Sequence, residues 1–119
     1  MPVYLHQWNY KDGQIQRMLD DTEELDRADV IRTAVEAFGG TLRQFYWSFG
    51  DYDGLAISDF PDEATALACL MSIYGQGRIT EVRTTPLFAA ETGVQAIRYA
   101  QEVLGKRPAA GSDPDPAAS

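Results

Sequence analysis

FYWSFGDYDGLAISDFPDEATA, residues 45–66, changes character three times within one short run. Phe45–Phe49 is aromatic and strand-like. Gly50-Asp51-Tyr52-Asp53-Gly54 is a turn by composition. Gly54–Phe60 is a second apolar run, and Pro61-Asp62 opens a helical pattern. Strand, tight turn, strand, helix is the middle of an antiparallel α+β unit. The fold follows if matching pieces flank it.

They do. Upstream, VYLHQWNY (3–10) is rich in β-branched and aromatic residues and stops at Lys11-Asp12-Gly13, which predicts a first strand. Gln14–Leu19 fits a short helical turn. Asp21 and Glu24 have the spacing of a capping box, and Ala28, Ile31, Val35 and Phe38 recur at helical steps up to a stop at Gly39-Gly40. TLRQFYWSF (41–49) is the second strand and GLAISDF (54–60) the third. The helix after Pro61 has Ala64, Leu67, Leu70, Met71 and Tyr74 as its expected apolar face and ends at Gly75. RITEVRTTPLF (78–88) is a fourth strand, expected to be cut short by Pro86. Val94, Ile97, Ala100 and Leu104 space out a C-terminal helix over 89–104. The order βαββαβ plus a helix predicts an α+β, ferredoxin-like sandwich: a four-stranded antiparallel sheet with helices on one face and an extra C-terminal helix. One domain is expected over 1–104, followed by a disordered, acidic, Pro/Ala-rich tail over 105–119.

Composition bounds the function. The chain has 119 residues, 18 acidic against 10 basic, for a net charge of −8. That balance repels phosphate backbones and anionic lipid, and no basic cluster offsets it, so neither nucleic acid nor membrane is an expected partner. No apolar run approaches the roughly 18 residues of a membrane span, and no signal peptide is recognisable at the N-terminus. A single cysteine, Cys69, fits a reducing cytoplasm.

Two helices on one sheet face leave the other face for water or a partner. Strand alternation groups Val3 with Leu5 and, opposite them, Tyr4, His6, Trp8 and Tyr10. It also separates Phe45, Trp47 and Phe49 from Gln44, Tyr46 and Ser48. Placing the purely apolar sets beneath the helices puts Tyr4, His6, Trp8, Tyr46 and Ser48 on the open face. Three large aromatics there would expose on the order of 500 Å², the upper end of what a monomer tolerates. A second copy laid face to face, giving a homodimer, is the expected cover.

Within this frame, Gly50, Tyr52-Asp53 and Pro61-Asp62, following FYWSFG and the Gly39-Gly40 stop, resemble the segment that gives the GYD domain family its name. The resemblance covers roughly residues 2–88; Gly54 stands where an apolar residue is more usual, and the C-terminal helix carries no family signal. It implies a ferredoxin-like domain of the dimeric α/β-barrel type and implies no reaction.

The candidate chemistry is thin. Asp51 and Asp53 begin the alternation of a calcium loop, but Leu55 and Ile57 break it, and no metal site is expected. The plain reading of the stretch is a hairpin turn whose glycines take positive φ and whose Asp side chains bond their own backbone. His6, the only histidine, and Asp53 are the candidate catalytic groups. Trp8, Tyr46 and Tyr52 are the candidate ligand contacts, and no cofactor is expected. The leading expectation is a non-catalytic, uncharacterised domain of this family that binds a small hydrophobic molecule between the sheets of a homodimer. The alternatives are a cofactor-independent oxygenase or isomerase acting on a small aromatic or quinone-like substrate, and a purely structural assembly module.

Overall fold

The computed structural model describes residues 1–21 and 27–105. The expected elements are present: β1 (Val3–Tyr10), α1 (Gln14–Asp20), α2 (Arg27–Ala37), β2 (Thr41–Trp47), β3 (Gly54–Asp59), α3 (Glu63–Tyr74), β4 (Ile79–Leu87) and α4 (Ala90–Val103). The capping pair proposed for the start of α2 depends on Glu24, which lies outside the described residues, as does the tail beyond residue 105. Two compact units divide the chain, Met1–Leu87 and the part from Phe88 onward. The first holds the sheet and α1–α3. The second holds α4, on which Val94, Ile97 and Val103 are exposed.

The sheet is antiparallel with strand order β2-β3-β1-β4, the ferredoxin-like arrangement. Its local causes are legible. Gly39, at φ 80°, ends α2 in the left-handed region that favours glycine. Asp62 caps α3 by accepting from Thr65 N at 2.9 Å, and the Thr65 hydroxyl returns to the Asp62 backbone in a capping box. Pro86 does not cut β4 short but sits inside it, paired with Tyr4. β4 is an edge strand, where a missing N–H need not break the ladder.

Two face assignments are corrected by the structure. On α3, Ala66 and Cys69 are buried, whereas Leu67, Met71 and Tyr74 are exposed. EATALACLMSIY is apolar nearly all round, so spacing alone does not choose a face; the two small residues allow the close approach and decide it. On β1, Tyr4, His6 and Trp8 lie on the helix-covered face rather than the open one. Tyr4 packs on the core of Val35, Phe60, Ala66 and Cys69, alongside Ile31, Phe38 and Ile73. The reason lies in β3, whose residues opposite Tyr4, His6 and Trp8 are Ser58, Ala56 and Gly54. These small residues make room for three large rings on their own face, while Leu55 and Ile57 join Leu5 on the other. For β2 the alternation places the faces as expected: Phe45 and Trp47 pair across from Ala56 and Gly54 on the helix side, leaving Tyr46 on the open face.

Candidate functional site

Between the sheet and helices α2 and α3 lies a cleft of about 80 Å³. Trp8, Tyr10 and His6 of β1 and Ala56 of β3 form its floor, and Ile79 and Val82 of β4 one side. Val30, Ile31 and Val35 of α2 face Cys69, Leu70 and Ile73 of α3 across it. A bulge helps to build that side. The β1–β4 register slips between Gln7 and Asn9, and Glu81 takes φ 54° beside Val82. Bulges of this kind re-aim side chains next to sites.

His6 is 8% exposed and fully engaged: Nδ1 lies 3.1 Å from the Thr84 hydroxyl and Nε2 2.9 Å from that of Ser58. A neutral ring donates through one nitrogen and accepts through the other, and the hydroxyls turn to match. Burial pushes its pKa down from 6.5 to about 4, so the ring is neutral at physiological pH. Ser58 is wholly buried and does not line the cleft, so the Ser58–His6 contact holds the histidine rather than arming a nucleophile. Cys69 does line it, but burial pushes its thiol up to about 11, away from the reactive thiolate.

The Gly50–Gly54 stretch forms the turn between β2 and β3, and it is held by other means than expected. Neither Gly50 nor Gly54 has a positive φ; the left-handed residue is Phe49, at φ 51°. Ser48 N donates to Asp53 O at 2.9 Å, Gly50 N to Tyr52 O at 3.0 Å, and the Ser48 hydroxyl to Tyr52 O at 2.6 Å. The Asp53 carboxylate reaches away from its own turn: Oδ2 accepts from Tyr10 N at 2.8 Å, while Asp53 N donates to Trp8 O at 2.9 Å. Asp53 thus clamps the turn to the two β1 residues whose rings form the cleft floor. Gly54 has a separate reason, since a Cβ there would stand 2.8 Å from the Trp8 ring.

The GYD domain family model matches residues 4–97. The chain belongs to the GYD domain family. The match extends into α4, beyond the span that the sequence resemblance suggested. No curated protein and no solved structure matches the chain. In this GYD domain the motif residues Gly50, Tyr52 and Asp53 lie outside the cleft lining, and Asp53 braces the cleft floor. Of the ligand contacts expected from sequence, only Trp8 lines the cleft; Tyr46 is on the opposite sheet face, and Tyr52 is in the turn. Of the catalytic candidates, His6 lines it and Asp53 does not. Of the walls, sequence spacing marks Ile31, Val35 and Leu70 only as apolar-face positions and does not single out Ile73 of α3 or Val82 of β4. The small-residue alternation Gly54, Ala56, Ser58 opposite three large rings is the signal that locates the floor. Among the described residues, no three His, Cys, Asp or Glu side chains are grouped to hold a metal, and no helix is long and apolar enough to cross a membrane.

Proposed function

We propose that this GYD domain is a non-catalytic, small-ligand-binding domain that works as a homodimer in a reducing cytoplasm, with its ligand site in the cleft between helices and sheet. The observation that carries this is the cleft itself, mostly apolar and floored by Trp8, Tyr10 and His6. Apolar clefts with a few convergent polar groups are the usual form of small-molecule sites. Its volume of about 80 Å³ is well below the roughly 300–1,000 Å³ of drug-sized sites, so the ligand it suits is compact. The site is therefore proposed on the helix side of the sheet, not between two sheets. The dimer is supported by the open face, where Leu5, Leu55 and Ile57 are only half-buried and Tyr46 is exposed. Native mass spectrometry of freshly purified protein tests both parts together, reporting the oligomer and any retained small molecule. A monomer without ligand, even after incubation with small aromatic compounds, sinks the proposal.

A second reading, a cofactor-independent oxygenase or isomerase on a small aromatic or quinone-like substrate, draws on one fact. His6 lines the cleft as a neutral imidazole and is a base by chemistry. Against it, both nitrogens are occupied, and a proton can be taken only by giving up Thr84 or Ser58. Turnover of such a substrate, lost in His6→Ala, would favour the enzyme over the binding domain.

A further inference from the structure

The cleft has a charge signature at odds with the rest of the chain. Acidic residues outnumber basic ones 18 to 10 over the whole sequence, yet among the described residues the lining includes Arg27 and Arg78 and no Asp or Glu. Arg27 enters from α2, and Arg78 from the residue before β4. Among the described residues, neither guanidinium has an ion-pair partner, whereas Arg32 is paired with Asp29 and Arg43 with Asp59. Two unpaired arginines beside an apolar space form an amphiphilic receptor: the fork-shaped guanidinium matches a carboxylate in two parallel hydrogen bonds, and the apolar walls take what is attached to it.

We propose that the cleft of this domain takes a small monocarboxylate with a compact aryl or short alkyl body, its carboxylate on Arg27 and Arg78 and its body over Trp8 and Ile79. This deepens the ligand-site reading above and rests on it. Size sets the class. At about 80 Å³ the cleft is about half the roughly 150 Å³ that encloses a benzene ring, so it takes a short branched chain or the edge of one ring that projects from its mouth, and not a long acyl chain. No bond is made or broken.

A matched pair of probes separates the charge preference from binding as such. Phenylacetate and 2-phenylethanol share a ring and a two-carbon arm and differ in the charged end. Each is titrated calorimetrically into the full chain at low salt, and into the double variant Arg27→Gln/Arg78→Gln, whose folding is checked by circular dichroism. Phenylacetate is expected to bind the wild type about tenfold or more tighter than the alcohol, weakening as salt is raised. In the double variant it should fall to the alcohol's level while the alcohol is unchanged. If both probes bind the wild type equally, or the preference for the anion survives in the double variant, the carboxylate proposal is wrong while the cleft remains a ligand site. If neither binds, the ligand-site reading falls and takes this proposal with it.

Discussion

His6 shows how one buried side chain couples the site to stability. In the unfolded chain it takes up a proton near pH 6.5, and in the folded domain only near 4. Between those values the unfolded state binds more protons, so stability is full above about pH 6.5, falls as pH drops, and levels off below about 4. The shift corresponds to a loss on the order of 3 kcal/mol across that window. His6→Gln, which keeps hydrogen-bonding capacity without titrating there, should flatten the dependence. Urea titrations of both proteins at pH 7 and 4.5 measure it, and parallel losses in the two would place the proton uptake elsewhere. Gly54 offers a second test at the same scale. Gly54→Ala drives a methyl against the Trp8 indole, which is 5% exposed and has little room to retreat. The expected cost is about 1–3 kcal/mol. At Gly50 a Cβ would meet nothing within 4 Å and the φ is not left-handed, so Gly50→Ala should stay within about 0.5 kcal/mol. Equal effects at the two glycines would mean that the family glycine, not the packed one, carries the constraint.

Elements add what single residues do not show, and the β2–β3 hairpin is the clearest case. Asp51 and Asp53 look equivalent in GDYDG, yet only the Asp53 side chain crosses to β1, where it accepts the Tyr10 amide. Asp53→Ala leaves that half-buried donor unpaired, for about 1–3 kcal/mol, whereas Asp51→Ala should lie within about 0.5 kcal/mol. Hydrogen exchange at the Tyr10 amide should speed up in the first variant alone; unchanged protection would remove Asp53 from its bracing role. The hairpin also marks where the sequence could be read and where it could not. Strand, turn and strand were legible because aromatic and β-branched runs flank a glycine-bounded polar stretch, and Pro61-Asp62 announces the following helix. The position of the turn beside Trp8–Tyr10 follows from the topology, which puts β3 antiparallel next to β1. The destination of the Asp53 carboxylate was not legible, because a bond across 43 positions leaves no local pattern. Nor was the face of β1: its polar-tipped rings look like surface until Ser58 and Thr84, on two other strands, are seen to satisfy His6. For α3 the pattern was ambiguous at its source, as an all-round apolar helix has no unique stripe.

At the scale of the whole molecule, the proposed dimer poses the question of which apolar surface of the first unit a second copy would cover. Two are available: the open sheet face with Leu5, Leu55, Ile57 and Tyr46, and the outer side of α3 with Leu67, Met71 and Tyr74 exposed. The sheet face sets Leu5 of β1 directly beside Ile57 of β3, with Leu55 next along the same side, as one apolar patch across two adjacent strands. Face-to-face pairing of two such sheets removes Leu5, Leu55 and Ile57 from water at once, with two-fold symmetry placing like surfaces together. Light scattering is therefore expected to give twice the 13.2 kDa chain mass for the wild type. Ile57→Lys, which puts a charge at the centre of that face, should give a folded monomer. Met71→Lys should leave the dimer intact. The reverse pattern would move the interface to α3, and a wild-type monomer would leave both faces to solvent and end the dimer proposal.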